Sequence, residues 1–345
     1  MKKLQFAMVG GGNGALIGDI HRIGAQFDDL AELKAGCFSR HWDKNLEAGE
    51  KWGVEPGRIY PDYHTMLEEE AKRTGEDRLD FVVVATPNNT HYEIVKDIIA
   101  HGFHIVCDKP VTFTSRESEE LKALAQEKDL LFGVSYSYAH YAILEQAKKM
   151  IADGVLGKIH TIAAEYPQEW VGLNTALRGK DGLTWRVDPA ICGPSGVIAD
   201  IGTHVEYLIS KVTGLKPVRV LARLRSIPDY VPVESDAQVL IDYDNGAAGI
   251  FWTSFAMVGK SCCMKVRIYG DKGGMEWNAH DFMELRVDIA GQPTQIWSAN
   301  YDYCDPQARK SCRLPKGMPE ALPLPVRQLL PGLLFPSAVP EGGQR

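Results

Sequence analysis

The sequence lacks the features that define several protein classes. It has no run of about 20 apolar residues, which excludes an ordinary transmembrane helix. The net charge is -7 and no basic stripe occurs, so we expect neither a nucleic acid nor a membrane as partner. The seven cysteines include no CxxC pair and there is no HExxH segment, so we expect free thiols and no bound metal.

The first residues, MKKLQFAMVGGG, contain only a short apolar stretch before the glycines. A signal peptide needs a longer apolar region and a small-residue cleavage site. We therefore interpret this segment as a first β-strand and expect a cytoplasmic location. With 345 residues, 45% of them hydrophobic and 24% charged, the chain is long enough for about two globular domains.

Strand and helix patterns alternate through residues 1–134. Predicted strands are LQFAMVG, ELKAGCFS (32–39), LDFVVVATP (79–87), FHIVCDKP (103–110) and LLFGVSYSY (130–138). Between the last two, Thr114 and Glu117 form a predicted capping box at the start of a helix. This alternation predicts an α/β domain with a doubly wound parallel sheet.

Residues 135–320 show a different pattern. In VRVLARLR (218–225), apolar residues alternate with arginines, which predicts a strand with one buried and one wet face. DNG (244–246) and DKGG (271–274) are predicted hairpin turns. We infer a second domain with an open, mostly antiparallel sheet and helices on its other side, which we expect to hold the substrate and the oligomer contacts.

Residues 321–345 form a third segment. Eight of the 19 prolines fall in the last 40 residues, and LPLPVRQLLPGLLFPSAVPEGGQR cannot hold a long helix. We expect this tail to be poorly ordered and hypothesise a frameshift or a truncated gene product.

The segment VGGGNGALIG follows a predicted strand and opens a predicted helix, as in dinucleotide-binding turns. Gly10 and Gly12 fit the first two glycine positions, and the third is either Ala15 or Gly18. The residues expected to bind the cofactor here are Gly10, Gly12, Asn13, Gly14 and Ala15.

The end of the second predicted strand usually carries an acid that binds the adenosine ribose. The sequence here reads Phe38, Ser39, Arg40, with no acid. A hydroxyl and a guanidinium accommodate a 2′-phosphate, so Ser39 and Arg40 favour NADP and leave NAD open.

Two further segments carry candidate catalytic side chains. Lys109, in CDKP, follows a predicted parallel strand, and the carboxyl ends of such strands line the ligand crevice. In GPSGVIADIGTHVEYLI, a helix over 197–209 would place Asp200 and His204 on one face. Gly202 between them suggests close approach by a ligand or another element.

These segments resemble a known family. ATPNNTH (85–91), the strand into CDKP (104–110) and GVIADIGTH (196–204) resemble the three signature blocks of the Gfo/Idh/MocA oxidoreductases. VGGGNGALIG, EYPQEW (165–170) and WRVDPAICGPSG (185–196) resemble the branch with levoglucosan and inositol dehydrogenases. The resemblance implies oxidation or reduction of a secondary alcohol of a sugar, sugar derivative or cyclitol with NAD(P).

The resemblance also implies roles for individual residues. It assigns catalysis to Lys109, Asp200 and His204. The implied cofactor contacts are Thr86, Pro87, Asn88, His91, Asp108 and Lys109. Beside the catalytic residues, the implied substrate contacts are Gln168, Trp170 and Arg186, although core packing explains Trp170 equally well. A homo-oligomer, either dimer or tetramer, is expected.

In the expected mechanism, the imidazole of His204 accepts the hydroxyl proton near neutral pH, a contribution of typically about 10²- to 10⁴-fold. Lys109 binds the substrate oxygen and joins the proton relay, and Asp200 orients His204 or binds a neighbouring hydroxyl. Two alternatives stay open: an NAD-dependent glycoside hydrolase that oxidises its sugar transiently, and a non-catalytic NAD(P)-binding sensor.

Overall fold

A computed structural model describes residues 3–262, 264–318 and 320. It divides into two compact units, the first ending at Ser135 and the second beginning at Tyr136. The predicted boundary was placed after residue 134. The predicted proline-rich tail, residues 321–345, lies outside the described residues.

The first unit is built on one parallel sheet. Its strands are β1 Leu4–Gly10, β2 Ala31–Cys37, β3 Phe81–Ala85, β4 His104–Cys107 and β5 Phe132–Val134. Its α-helices are α1 Leu16–Gln26, α2 Trp42–Lys51, α3 Tyr63–Ala71, α4 His91–Ala100 and α5 Ser115–Glu127. The strand order is β2-β1-β3-β4-β5, and every pairing is parallel.

The central strands are buried on both faces because successive side chains point to opposite sides of a sheet. In β1, Ala7 and Val9 join one apolar cluster, whereas Phe6 and Met8 join another. β3 divides its side chains between the same two clusters. The continuous apolar runs in the sequence therefore correspond to strands covered on both faces.

Two polar features fix the helices of this unit. The predicted capping box is confirmed, because Thr114 accepts a hydrogen bond from the Glu117 amide and Glu117 accepts one from the Thr114 amide. Arg58 forms a buried ion pair with Glu70 of α3, at 2.5 Å. Tyr60 also donates to Glu70, at 2.8 Å, so this buried carboxylate is well satisfied.

The second unit contains an eight-stranded sheet. Its strands are β6 Ile159–Pro167, β7 Pro217–Arg225, β8 Asp236–Tyr243, β9 Ala248–Ser254, β10 Lys265–Gly270, β11 Gly273–Asn278, β12 Glu284–Ile289 and β13 Gln295–Ser298. Its α-helices are α6 Ala142–Ala152, α7 Trp170–Arg178, α8 Pro189–Cys192, α9 Thr203–Thr213 and α10 Pro306–Lys310. The strand order is β13-β12-β11-β10-β6-β9-β8-β7. The β6–β9 pair is parallel and the other described pairs are antiparallel.

One face of this sheet packs against helices and the other is open. Ile241, Phe251 and Val266 belong to the apolar core shared with α6 and α9. Leu240 and Ile250, which alternate with them, are 52% and 55% exposed. The predicted fold class, a doubly wound parallel sheet followed by an open, mostly antiparallel sheet, is confirmed.

The sequence predicts a strand with one buried face over 218–225, and the burial of that face was predicted wrongly. Val220 and Leu224 pair with the buried residues Ile241 and Ala237, so they do share the core-side face. They are nevertheless 57% and 53% exposed. These side chains are exposed because β7 is the outermost described strand of the sheet and pairs with β8 alone.

The strand predicted over 130–138 was also too long. β5 ends at Val134, and a short 3-10 turn follows at Ser137–His140. Tyr136 and Tyr138 therefore leave the sheet instead of continuing its alternation. None of the helices in the described ranges combines the length and apolarity that a bilayer crossing requires.

Candidate active site

The glycine turn lies where the ends of β1, β2 and β3 meet. Gly10 has a φ of 78°, and a Cβ there would lie 2.6 Å from the carbonyl oxygen of Ala85. A Cβ on Gly12 would lie 2.7 Å from the carbonyl oxygen of Phe38. Only glycine fits these positions, and the main chain of the turn is free of side-chain bulk where a pyrophosphate would approach.

The third glycine position, which the sequence left open, is explained by packing. A Cβ on Gly18 would overlap the carbonyl oxygen of Gly11, so α1 can approach the turn only with glycine there. Ala15 is exposed and precedes α1 without forming a side-chain cap. Because the first amides of a helix lack intrahelical acceptors, this uncapped start suits an anionic ligand.

The predicted ribose-binding residues lie just beyond β2. The hydroxyl of Ser39 accepts a hydrogen bond from the His41 amide at 3.1 Å, and Arg40 is exposed. Lys51, at the end of α2, donates to the side chain of Asn13 at 3.2 Å. This lysine was not identified from the sequence, and it adds a positive charge beside the glycine turn.

His91 connects the loops that follow β3 and β4. Its ring is fully buried, with Nδ1 at 2.8 Å from the carbonyl oxygen of Pro110 and Nε2 at 2.9 Å from that of Thr86. Both ring nitrogens are therefore used by the main chain. Of the predicted cofactor residues in the first loop, Pro87 is exposed and Asn88 is half-buried.

Asp108 directly follows β4, and its side chain accepts a hydrogen bond from the Ser135 hydroxyl at 2.6 Å. Burial acts to raise the pKa of Asp108, but His21, Lys109 and the Ser135 hydroxyl outweigh burial and lower it. Burial also lowers the pKa of His21, whose Nε2 is 4.0 Å from Asp108. The neighbours of Asp108 therefore favour its ionised form.

His204 lies in the second unit with two aromatic neighbours. Its side chain is 6% exposed. The rings of Tyr136 and Tyr138 meet the imidazole nearly perpendicularly, at centroid distances of 5.5 Å and 5.3 Å. Such edge-to-face contacts fix the plane of a ring, so the orientation of His204 is set by packing.

The phenols of Tyr138 and Tyr166 stay protonated at neutral pH. Tyr166 donates to the hydroxyl of Tyr138 at 3.0 Å. Burial raises the pKa of Tyr138 and raises that of Tyr166 well above its usual value.

The sequence predicts one α-helix over 197–209, but the segment that carries Asp200 and His204 is not one regular α-helix. Residues Ile198–Gly202 form a π-helical turn, and α9 begins at Thr203. The Thr203 amide donates to the carbonyl oxygen of Ile198, five residues earlier. The side chain of Ile198 also supplies the three nearest contacts to a Cβ on Gly202, so the packing partner lies in the same segment.

Arg186 approaches Asp200, with Nη1 at 3.8 Å from Oδ1. The guanidinium of Arg186 also lies 4.7 Å from the ring centroid of Trp185. The structure therefore brings together two of the predicted substrate residues. Lys109 belongs to the first unit and Asp200 and His204 to the second, so their joint action stays a prediction.

The other predicted substrate residues lie at the end of β6. The main chain of Gln168 bonds to Ser254 at 2.7 Å and to Met257 at 2.9 Å. Trp170 packs on Phe255, with ring centroids 4.7 Å apart, and borders the apolar core. This packing is the structural role that the sequence left open for Trp170.

Sequence reasoning missed Tyr136 and Tyr138 as neighbours of His204, and Tyr166 as the hydrogen-bond partner of Tyr138. Polar aromatic residues at alternate positions after a parallel strand, SYSY, were a usable signal. That signal was read as strand alternation because the end of β5 could not be located.

Comparisons with known proteins agree with this arrangement. A family model described as an oxidoreductase family with an NAD-binding Rossmann fold matches residues 4–136, and the GFO/IDH/MocA C-terminal domain matches residues 144–276. An uncharacterized oxidoreductase, YfiI of Bacillus subtilis, is 38% identical over 88% of this chain and 78% of its own length. The chain belongs to the Gfo/Idh/MocA family.

Solved structures of similar proteins support the assignment. A crystal structure of an inositol dehydrogenase homolog from Azotobacter vinelandii, complexed with NAD+, has a TM-score of 0.89 at 36% identity and covers 94% of this chain and 84% of that one. A second structure of that homolog holds NADH and myo-inositol. Levoglucosan dehydrogenase of Pseudarthrobacter phenanthrenivorans is 27% identical over 61% of this chain and 58% of its own length.

These matches confirm the family predicted from the three signature blocks. This Gfo/Idh/MocA protein is an oxidoreductase whose first domain is an NAD-binding Rossmann domain, and its relatives include sugar and inositol dehydrogenases. The glycine turn, in which Gly10 and Gly12 leave no room for a Cβ, is followed by an uncapped helix start and fits that cofactor.

Proposed function

We propose that this protein is an NAD(P)-dependent dehydrogenase that oxidises a secondary alcohol of a sugar, an anhydrosugar or a cyclitol. His204 carries this proposal, because its imidazole is buried and oriented by the rings of Tyr136 and Tyr138. The related homolog crystallised with NADH and myo-inositol supports the substrate class.

Each catalytic side chain has a distinct role in the proposed reaction. The nicotinamide cofactor supplies the hydride acceptor when it is bound. Lys109 binds the substrate oxygen and stabilises developing negative charge, and His204 takes part in removing the hydroxyl proton. Asp200, with Arg186 near its carboxylate, orients the imidazole or binds a neighbouring hydroxyl. Gln168 and Trp170 border the substrate.

We further propose that the cofactor site accepts the 2′-phosphate of NADP. Four features support this: the hydroxyl of Ser39, the guanidinium of Arg40, the missing acid after β2, and the ammonium group of Lys51 beside Asn13. A charge-assisted contact to a phosphate is worth about 1.5–3 kcal/mol, or roughly tenfold or more in affinity. Arg40→Glu should therefore raise the KM for NADP about tenfold and leave that for NAD little changed.

The decisive assay follows cofactor reduction at 340 nm with NAD and with NADP. The substrates are myo-inositol, scyllo-inositol, levoglucosan and common aldoses. Reduced cofactor should accumulate in proportion to product. A hydrolase that recycles its cofactor would release product without this accumulation, and a sensor would bind cofactor without turnover.

Lys109→Ala and His204→Ala test the roles of the side chains. Each should lower kcat about 10²- to 10⁴-fold without unfolding the protein. Arg178→Ala, a change at the end of α7, is the matched control and should stay near wild type. Unchanged rates in both test variants would remove the proposed mechanism.

A homo-oligomer is the proposed assembly. Leu221, Leu240 and Ile250 occupy directly paired positions on three neighbouring strands and are 69%, 52% and 55% exposed. A contiguous apolar surface of this kind marks an interaction site on a soluble protein. A mass measurement by light scattering should give a dimer or a tetramer, and a monomer at micromolar concentration would contradict it.

A further inference from the structure

Glu234 lies in the loop between β7 and β8 and makes a concentrated set of contacts. Its carboxylate Oε1 accepts hydrogen bonds from the Ser195 hydroxyl at 2.6 Å, the Gly196 amide at 2.9 Å and the Ile198 amide at 3.2 Å. The carbonyl oxygen of Glu234 accepts one from the Val197 amide at 2.9 Å. One residue thus binds four consecutive positions of the chain.

The bound amides are those at the start of the segment that carries Asp200 and His204. The first amides of a helical segment have no acceptor within it and need partners from outside. The segment's own bonding begins when the Asp200 amide donates to the carbonyl oxygen of Gly196, at 3.0 Å. Glu234 therefore supplies the acceptors just before that point.

Gly196 makes the close approach possible. A Cβ there would overlap the carbonyl oxygen of Glu234 and lie 2.6 Å from Cγ2 of Val233. The chain at 195–198 is therefore packed directly against the main chain of the loop before β8. This packing fixes where the segment begins.

The position of this start matters because the next turn is π-helical, Ile198–Gly202. A π turn holds one residue more than an α turn, and such turns are often found at functional sites. Each residue of an α-helix turns the chain by about 100°. If the start were released, the segment could relax to regular α-helix, and Asp200 would rotate relative to His204 by about that angle.

We propose that Glu234 is a positioning residue that holds the π turn and so sets Asp200 relative to His204. The carboxylate acts through main-chain amides and the Ser195 hydroxyl. Its catalytic consequence rests on the function proposed above, whereas its structural consequence does not.

The test compares Glu234→Ala, which removes the acceptor, with Glu234→Gln, which keeps an oxygen acceptor without charge. Asp305→Asn is the matched control, because Asp305 accepts from the Gln307 amide at the start of α10. For each protein, amide hydrogen exchange is measured over peptides covering 195–204. The kcat and KM are measured with the best substrate of the polyol panel, and NADH affinity is measured by fluorescence.

We expect Glu234→Ala to speed exchange over 195–204 and to lower kcat about tenfold or more, with NADH affinity unchanged. Glu234→Gln should restore kcat to within about threefold of wild type. Asp305→Asn should leave both readouts as in wild type.

Unchanged exchange over 195–204 in Glu234→Ala would overturn the inference, even if kcat fell. An equal loss of kcat in Asp305→Asn at a matched loss of Tm would overturn it too, because the effect would then be general destabilisation. If wild type turned over no polyol, the proposed function would fail, and the exchange measurement would still decide the anchoring role.

Discussion

The start of α1 and the start of the segment that leads to α9 are built in opposite ways. α1 follows the glycine turn and has no side-chain cap, and a Cβ on Gly10, Gly12 or Gly18 would collide with the main chain. The segment leading to α9 has its first amides bonded to Glu234. The first amides of α1 have no side-chain acceptor and are available to a ligand, whereas those of the second segment are hydrogen-bonded within the protein. An open start binds through the main chain, and a closed start positions the side chains that follow it.

The same contrast extends to the two histidines. The two ring nitrogens of His91 each lie within 3 Å of a main-chain carbonyl oxygen, and the ring connects two loops. His204 is oriented by the rings of Tyr136 and Tyr138. The first unit thus uses main-chain geometry to form its site, and the second uses side chains. Each prediction below should affect one unit and leave the local readouts of the other unchanged.

The largest effect is expected from the buried ion pair of the first unit. Glu70→Ala leaves Arg58 buried without its partner, which typically costs about 3–5 kcal/mol. Urea denaturation followed by hydrogen exchange should show the loss in the first unit. Glu69→Ala removes an exposed ion pair with Lys72 in the same region and should give no measurable change. Equal losses in the two variants would contradict the burial argument.

A glycine in each unit gives the next comparison. Gly18→Ala forces a Cβ against the Gly11 carbonyl oxygen, so we expect a cost of about 1–3 kcal/mol and roughly tenfold weaker NADH binding. Gly202 has helical φ and ψ of -62° and -38°, and its Cβ would meet only the flexible end of Ile198 at 3.2 Å.

Gly202→Ala should therefore change the free energy of unfolding by no more than about 1 kcal/mol. NADH titration and urea denaturation measure both variants. If Gly202→Ala weakened NADH binding as much as Gly18→Ala, the division into a main-chain site and a side-chain site would be wrong.

His140 should make the stability of the second unit sensitive to acid. Burial, together with the charge of Lys211, lowers the pKa of His140 from 6.5 to about 3. Its Nε2 is buried without a hydrogen-bond partner among the described residues. Between these pH values only the unfolded chain takes up the proton, so acidification lowers the free energy of unfolding by up to about 1.4 kcal/mol per pH unit.

His140→Asn keeps an acceptor near Lys211 and removes the titration, so its stability should fall less steeply from pH 6.5 towards pH 4. Urea midpoints at half-unit pH steps measure the difference. His64→Asn, an exposed residue of the first unit, is the control. Parallel profiles for wild type and His140→Asn would show that this ring does not govern the acid response.

The smallest effect on stability is expected on the open face of the second sheet. Leu240→Lys combined with Ile250→Lys should change the free energy of unfolding by less than about 0.5 kcal/mol, because both side chains are exposed. The same pair should shift the mass measured by light scattering towards the monomer. Gln238→Lys, an exposed polar position on the same strand, is the control. An unchanged mass in the double variant would exclude this face as the contact.

Much of the first unit could be predicted because its signals are local. A continuous apolar run identifies a strand covered on both faces, and the Thr114–Glu117 spacing identifies the start of α5. The glycine turn was found for the same reason, although choosing Gly18 over Ala15 required the packing against Gly11.

The second unit depends on contacts between residues far apart in the chain. Glu234 reaches Ser195 across 39 positions, and no local pattern in the sequence indicates this contact. The exposure of Val220 follows from the strand order, which alternation alone does not contain. The π turn likewise breaks the 3.6-residue period on which the helix prediction relied.

Strand β6 has a particular place in the second sheet, between β9 and β10. It comes first in the sequence of this sheet, with β7–β9 on one side of it and β10–β13 on the other. Tyr166 lies in this inner strand and Gln168 directly follows it, so both are away from the margins of the sheet. Changes of length in an outer hairpin, such as the turn after Ile289, should alter the rim of the sheet and spare those two residues.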